Sequence, residues 1–525
     1  MTASQIITLV VVVLYAVLMV AIGVITSRKT KSVNDFVLGG NKIGPWMTAF
    51  GFGTAYFSAV VFIGYAGQFG WSYGISAVWC GIGNAVIGAL LAWAVLGKRT
   101  RLMTKHLDTK TMPDFFMKRY GSSTLRTVAA VIVFLFMIPY TASVYNGLSR
   151  LFAMAFDLGD NGYYYIMIAM AVLSAIYVVL GGYSATAVND FIQGIIMLVG
   201  ISSVVICVLN NKGGLSASVD LLKGIDAVPD GKLGSLFGPD PINLFGVVIL
   251  TSLGTWGLPQ MVHKFYAIRD EKDIKRGMII STVFCMIVAG GCYLLGGFTR
   301  LFNTTEEGGG LGTIVIQKLS NGKLEFDAMV PNMLQATLPT LLIGLVVVLV
   351  LSASLSTLSA LVLTSSNTLT NDLIDVKAKM DDKKKLIIMR VLILFFLLLS
   401  IIIAMNKNAA ITTLMSYSWG ALSGSFLGPF LWGLYSKKTT KAAVGVSFVM
   451  GVVLTVGHMC IFTFFKDSCA GLVSWAAGLP LNLASPINAG ALLMILSLIV
   501  TPIVSAFTKK CDAETVENAF AAYNK

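Results

Sequence analysis

The 525-residue chain has little charge: only 12% of its residues are Asp, Glu, Lys or Arg. With 56% hydrophobic residues and a mean hydropathy of +0.81, that scarcity excludes an ordinary soluble globular domain. Histidine is scarcer, and its three copies lie too far apart in sequence to form a metal-ligand or nucleophile motif. The seven cysteines (80, 207, 285, 292, 460, 469 and 511) are odd in number and scattered, mostly inside apolar runs, which excludes a disulfide framework or a zinc spacing. Hydrolase, kinase, Walker and dinucleotide fingerprints are absent too, so nothing points to an enzyme. A basic soluble domain is also lacking, and the formal charge of +13 therefore carries no nucleic-acid message.

What is present is a succession of apolar runs of ~18 residues or more, the length needed to cross a bilayer as helix. Thirteen can be counted, at 5–26, 46–68, 74–97, 125–156, 161–180, 186–209, 242–263, 277–299, 333–363, 387–405, 409–435, 442–464 and 487–507. The expectation is an all-α polytopic protein of the plasma membrane, with one transmembrane domain over residues 1–525. Arg28 and Lys29 follow the first run and no basic stretch precedes it, which reads as a retained anchor and not a cleaved signal.

Most of the 38 basic residues fall in alternate connections: SRKTKS (27–32) through Lys42, 98–120 through Arg126, HKFYAIRDEKDIKRG (263–277), the segment around DDKKK (381–385), SKKTTK (436–441) and the tail. The opposite connections carry far fewer, although they include the two longest, 210–241 and 300–332. This asymmetry predicts an outside N-terminus and a cytoplasmic C-terminus.

Such a chain is a transporter, channel, receptor or scaffold, and the interruptions in its helices discriminate among these. The second run holds Gly51, Gly53, Gly64 and Gly67, and the seventh holds Gly254, Gly257 and Pro259. Glycine and proline loosen helices and free backbone carbonyls. The two interrupted runs are five apart and run in opposite directions in the predicted topology, as an inverted repeat with a midplane site requires. Close helix packing through small residues is the competing explanation.

The ninth run continues into SASLSTLSALVLTSSNTLTND (352–372), where Ser352, Ser356, Ser359 and Ser366 recur at helical spacing with Thr357 and Thr364 on or beside that face. A single such hydroxyl usually bonds back to its own helix. A dense cluster beside a broken helix suits a hard cation that prefers oxygen ligands. Asp190, near the end of the sixth run, is expensive in a membrane and is a functional candidate, with an interfacial position as its alternative. Arg150 reads as a snorkelling anchor.

NDFVLGGNKIGPW (34–46), GGYSATAVNDFIQG (181–194), GLPQMVHKFYA (257–267) and ASLSTLSA (353–360), in this order, resemble the motifs of the sodium:solute symporter family over roughly residues 30–440. That family includes carriers of proline, pantothenate, sugars, sialic acid and monocarboxylates. The resemblance implies a leucine-transporter-like core of two inverted five-helix repeats (46–209 and 242–435), a peripheral first helix (5–26), two peripheral C-terminal helices (442–507) and a short cytoplasmic tail (508–525). It implies sodium as the coupling ion, with carbonyls of Thr54, Phe57 and Ala353 and hydroxyls of Ser356 and Thr357 as ligands. Some members hold a second sodium, for which Asp190 and Ser359 match here, whereas Ala360 stands where sialic acid carriers have serine. A substrate pocket is implied at Tyr56, Ser58, Tyr140, Thr251, Thr255, Trp256 and Gln260, with Tyr417 or Trp419 as gates. Proline carriers have an acid and a methionine where this chain has Tyr56 and Phe57.

The function implied is import of a small organic solute with sodium by alternating access: an amino acid such as proline, a monocarboxylate, pantothenate or a sugar. The partners are solute, sodium and lipid, and no obligate protein partner is evident. A sensor, a proton-coupled carrier or a facilitator is the alternative. A sensor would normally carry an output domain larger than TKKCDAETVENAFAAYNK, and a channel a selectivity ring that nothing in the sequence marks.

Overall fold

Glycine, proline and hydroxyl residues inside apolar runs decide where the helices turn, and the turns position the site. The computed structural model describes residues 3–524 apart from 28–31, 159–160, 226, 305–313, 317–321, 323, 376–379 and 406–409. Strand among the described residues is limited to the parallel pair Asn303–Thr304 and Ile314–Val315. Ten helices among the described residues are long and apolar enough to cross a membrane, or eleven if Pro241–Trp256 and Pro259–Ala267 form one span bent by 41°.

This is fewer than the thirteen apolar runs, for local reasons. The second run opens with the 12-residue helix Pro45–Tyr56, too short to span alone. The rest of that run and the third form the stretch Val60–His106, turned at Gly74 with φ 61° and ψ −140°. Ile411–Tyr435 is a 25-residue helix matching the eleventh run, but Thr412, Thr413, Ser416, Ser418, Ser423 and Ser425 dilute its apolar character. The fifth and sixth runs lie in Gly162–Asn211, turned at Gly182 with φ 54°, where a side chain would also meet Phe36.

Two breaks define the core. Pro45–Tyr56 ends at Phe57, which is extended (φ −110°, ψ 123°), and helix resumes through Val60–Tyr65 and Ala66–Tyr73. The second break is at Leu258, also extended (φ −81°, ψ 120°), between Gly254–Trp256 and Pro259–Ala267. Pro259 is suited to open the second half because a first-turn residue has no intrahelical use for an N–H. The hydroxyl-rich helix Thr340–Thr368 packs against Pro45–Tyr56, Ser123–Ala155 and Gly162–Asn211. The first helix, Ala3–Ser27, packs on Gly162–Asn211 and Thr340–Thr368 and leaves Leu14, Val17 and Ile25 exposed, as a lipid-facing peripheral helix does.

Two expectations need correction here. HKFYA was assigned to the connection 263–277, but Pro259–Ala267 is helical and wholly buried, so the connection runs from Ile268 to the helix that starts at Lys272. Lys264 is held inside because it meets a buried carboxylate. Arg150 is not a snorkelling anchor: its guanidinium pairs with Glu325 and lies 3.7 Å from Asp327, both in the long connection before Met329–Thr337. Asp327 in turn accepts from the Ile411 N–H at 3.4 Å, joining this end of three elements. Burial pushes the Asp327 carboxyl above its usual range while Arg150 pulls it down. Arg28, Lys29 and Lys31 of SRKTKS lie outside the described residues.

Candidate cation and solute site

At the first break, backbone donors are diverted from the helical ladder. An unbroken helix would aim the N–H groups of Ala59, Val60 and Val61 at the carbonyls of residues 55, 56 and 57. Instead Ala59 donates to Ser354 Oγ (3.2 Å), Val60 to Ser58 Oγ (3.2 Å) and Val61 to the Ser58 carbonyl (3.1 Å). Carbonyl oxygens are thereby released beside the hydroxyl-rich helix. Ser58, expected in the solute pocket, caps the second half of the broken helix. Ser354, which the sequence reading passed over, ties that half to Thr340–Thr368. Its signal was present, because it lies within ASLST itself.

The hydroxyls of the stripe divide into two kinds. Thr357 Oγ1 lies 3.2 Å from its own Ala353 carbonyl and 3.4 Å from the Ala55 carbonyl, so it bridges the two helices. Ser356 Oγ turns fully outward, 2.9 Å from Thr54 Oγ1 and 2.6 Å from Asp190 Oδ1. Ser359 and Ser366 bond back to the carbonyls of Ser356 (2.8 Å) and Leu363 (3.2 Å), the local use expected of isolated hydroxyls. Thr54 also bonds back, to Phe50 O at 2.8 Å. All of these residues are buried.

Neutral oxygens from two helices thus converge at Thr54, Ala55, Ala353, Ser356 and Thr357, a donor set that fits a hard monovalent cation. Ala55 is the carbonyl that Thr357 contacts, one residue from the Thr54 of the family pattern. Phe57 lies at the break with its ring stacked on Tyr56 at 4.6 Å.

Asp190 is buried within the helix bundle: it is 1% exposed, and its second oxygen lies 3.1 Å from Lys264 Nζ, itself 3% exposed. Sequence reasoning missed Lys264 because it counted the residue among loop cations. An ionisable residue only five positions after Pro259, in the same apolar run, was the available signal.

The expected solute residues fall into three places. Tyr56, Tyr140 and Trp419 are gathered, with Trp419 6.2 Å from Tyr56 and 5.8 Å from Tyr140 between ring centroids, and each is 1% exposed. Tyr56 Oη donates to the Thr251 carbonyl and fits there because Gly88 has no side chain; a Cβ on Gly88 would lie 2.4 Å from that oxygen. Thr251 turns its own hydroxyl back to Val247 O (2.8 Å). Thr255 Oγ1 and Trp256 Nε1 bond to the carbonyls of Gly88 (3.0 Å) and Ile87 (2.9 Å), holding the second break against the third apolar run. Gln260 lies apart, in a narrow cavity of about 20 Å³ with His263, Lys264, Tyr183, Thr364 and Asn367. Tyr417 packs on Lys441–Met459 and Cys460–Phe464, 2.7 Å from Thr463 Oγ1 and 5.8 Å from His458 between ring centroids.

Comparisons with known proteins bear on the family and the fold. A model of the sodium:solute symporter family matches residues 36–451. The osmoregulated proline transporter OpuE of Bacillus subtilis is 28% identical over 447 residues, 83% of this chain and 86% of that protein. A sodium/proline symporter of Staphylococcus aureus is 27% identical over 96% of this chain and 94% of its own. Among solved structures, the substrate-bound, outward-open form of a sodium-coupled sialic acid symporter matches with TM-score 0.75 at 16% identity, covering 96% of this chain and 98% of the other, which shows a shared fold. The chain is a multi-pass membrane protein and a member of the sodium:solute symporter family.

Proposed function

We propose that this protein imports a small zwitterionic solute, with proline as the first candidate, by coupling it to sodium through alternating access. The observation that carries the reading is the meeting of Ser356 and Thr357 with Thr54 and Ala55 at the break of the first core helix. A sodium ion held there by the carbonyls of Thr54, Ala55, Phe57 and Ala353 and by the hydroxyls of Ser356 and Thr357 supplies a positive charge beside the solute pocket. The hydroxyls now spend their bonds on each other, on backbone and, for Ser356, on the Asp190 carboxylate. Turning them to an ion draws Pro45–Tyr56 and Thr340–Thr368 together, which shapes the adjoining ring cluster of Tyr56, Tyr140 and Trp419.

Two features support an uncharged or zwitterionic solute. The gathered residues Tyr56, Tyr140, Thr251 and Trp419 carry no ionised side chain, so a cationic solute would be desolvated without a partner and would meet the sodium ion's like charge. Both similar proteins above are named as proline carriers. Thr255 and Trp256 position the second break, and Tyr417, packed against His458, is the weaker of the two gates. The thirteen-span inverted-repeat arrangement with the N-terminus outside is supported by the basic-residue asymmetry and by the two breaks in corresponding positions.

The test is uptake into proteoliposomes of a labelled panel of proline, other amino acids, pantothenate, short monocarboxylates, hexoses and sialic acid. Accumulation of proline only with an inward sodium gradient is the expected outcome. Equal equilibration with and without sodium would reject symport, and accumulation of another class would reject proline.

A further inference from the structure

We infer that the Lys264 ammonium is a built-in occupant of the second cation position, so that this chain couples to one sodium only. The inference rests on the sodium reading proposed above and sharpens its stoichiometry. Asp190 divides its two oxygens: Oδ1 accepts from Ser356 Oγ at 2.6 Å and Oδ2 takes Lys264 Nζ at 3.1 Å. Ser359, the other residue expected to serve a second ion, is turned to the Ser356 carbonyl. A carboxylate alone at this depth would be expensive and would recruit a cation. The lysine supplies that cation from the second broken helix as a compact point charge on a flexible stem, the nearest side-chain substitute for a small monovalent ion.

Space around the pair has been kept for it. Gly51, on the first broken helix, approaches so closely that a Cβ there would lie 2.9 Å from Asp190 Oδ2 and 3.1 Å from Lys264 Nζ. The ring of Tyr183 lies 5.2 Å from the ammonium, and no other basic side chain is paired with Asp190 among the described residues. The narrow cavity on the other side of Lys264 is lined by Gln260, whose two amide atoms have no hydrogen-bond partner among the described residues, and by His263, whose Nε2 has none. These unpartnered polar atoms line the cavity beside the ammonium.

The experiment counts sodium bound at equilibrium, with labelled sodium on purified full-length protein in detergent, choline balancing ionic strength. One ion per wild-type chain, two per Lys264→Met chain and one again in Lys264→Met/Asp190→Asn is expected. The half-saturation curve of the single variant should steepen, with a Hill coefficient rising from about 1 toward 2. Two ions on the wild type, or no gain of one ion in Lys264→Met, would overturn the inference. Because the wild-type count is itself diagnostic, a variant that fails to fold does not shield the proposal. A wild type that binds none while Lys264→Met gains one would instead reject the Ser356 and Thr357 site and leave the role of Lys264 standing.

Discussion

At the scale of the residue, one hydroxyl in a stripe of similar ones is set apart by where it points. Ser356 reaches Thr54 and Asp190, whereas Ser359 and Ser366 return to their own helix. Ser356→Ala together with Thr357→Ala should raise the sodium concentration for half-maximal uptake at least about tenfold, which corresponds to ~1.4 kcal/mol of lost ion binding. Unchanged sodium activation would remove both from the site. A second prediction concerns Gly51, whose missing side chain makes room for the Asp190–Lys264 pair. Gly51→Ala should destabilise the protein by about 1–3 kcal/mol through overpacking. Gly44→Ala, where a Cβ would meet nothing within 4 Å, should cost less, about 0.5 kcal/mol, from the preference for glycine over alanine at an N-cap. Thermal unfolding in detergent compares the two, and equal losses would contradict the crowding argument.

At the scale of the element, each broken helix is held by a side chain from another. Ser354 takes the Ala59 N–H at the first break, and Ser423 Oγ donates to Gly254 O at 2.6 Å at the second. The end of the molecule predicted to face outside is closed by Arg150 against Glu325 and Asp327, with Asp327 on the first N–H of Ile411–Tyr435. Arg150→Gln leaves the buried Asp327 carboxylate without its cation, and breaking such a pair costs about 3–5 kcal/mol. Its melting temperature should fall, and adding Asp327→Asn should restore part of the loss. A double variant no better than the single would show that Arg150 acts by other contacts.

At the scale of the whole molecule, the tail closes back on the second basic connection, residues 98–120. The helix Ala513–Ala521 buries Phe520, and Arg119 lies 4.9 Å from the rings of both Phe520 and Tyr120. Arg99 lies between the rings of Tyr435 (4.0 Å) and Tyr523 (4.8 Å), and Tyr523 Oη donates to Leu434 O at 3.0 Å. Deleting residues 512–525 removes three cation–π contacts, of Arg99 with Tyr523 and of Arg119 and Lys437 with Phe520, worth roughly 0.5–1 kcal/mol each, and the packing of Phe520. A lowered melting temperature is expected, and an unchanged one would reduce the tail to an ornament of the surface. Transport energetics also belong at this scale: one sodium carries about 2.3 kcal/mol per 100 mV of membrane potential. Halving a two-ion stoichiometry, as the lysine does in our inference, halves that electrical drive.

The sequence alone determined that this chain folds in a bilayer, where most of its apolar helices lie, where two of them break, and which family it belongs to, although its ninth run (333–363) merges Met329–Thr337 with Thr340–Thr368. These properties are local: apolar run length, glycine, proline and short motifs act within one turn or one span. Only the tertiary structure decided which hydroxyl faces the break, that Gln260 lies with His263 and Lys264 and Tyr417 with Thr463 and His458, and that Arg150 is locked to loop carboxylates. It alone placed Lys264, 74 positions from Asp190, on the same carboxylate. A charge in a membrane must find its counter-charge inside the protein, and which pair meets is set by how the helices cross, which no single span can specify.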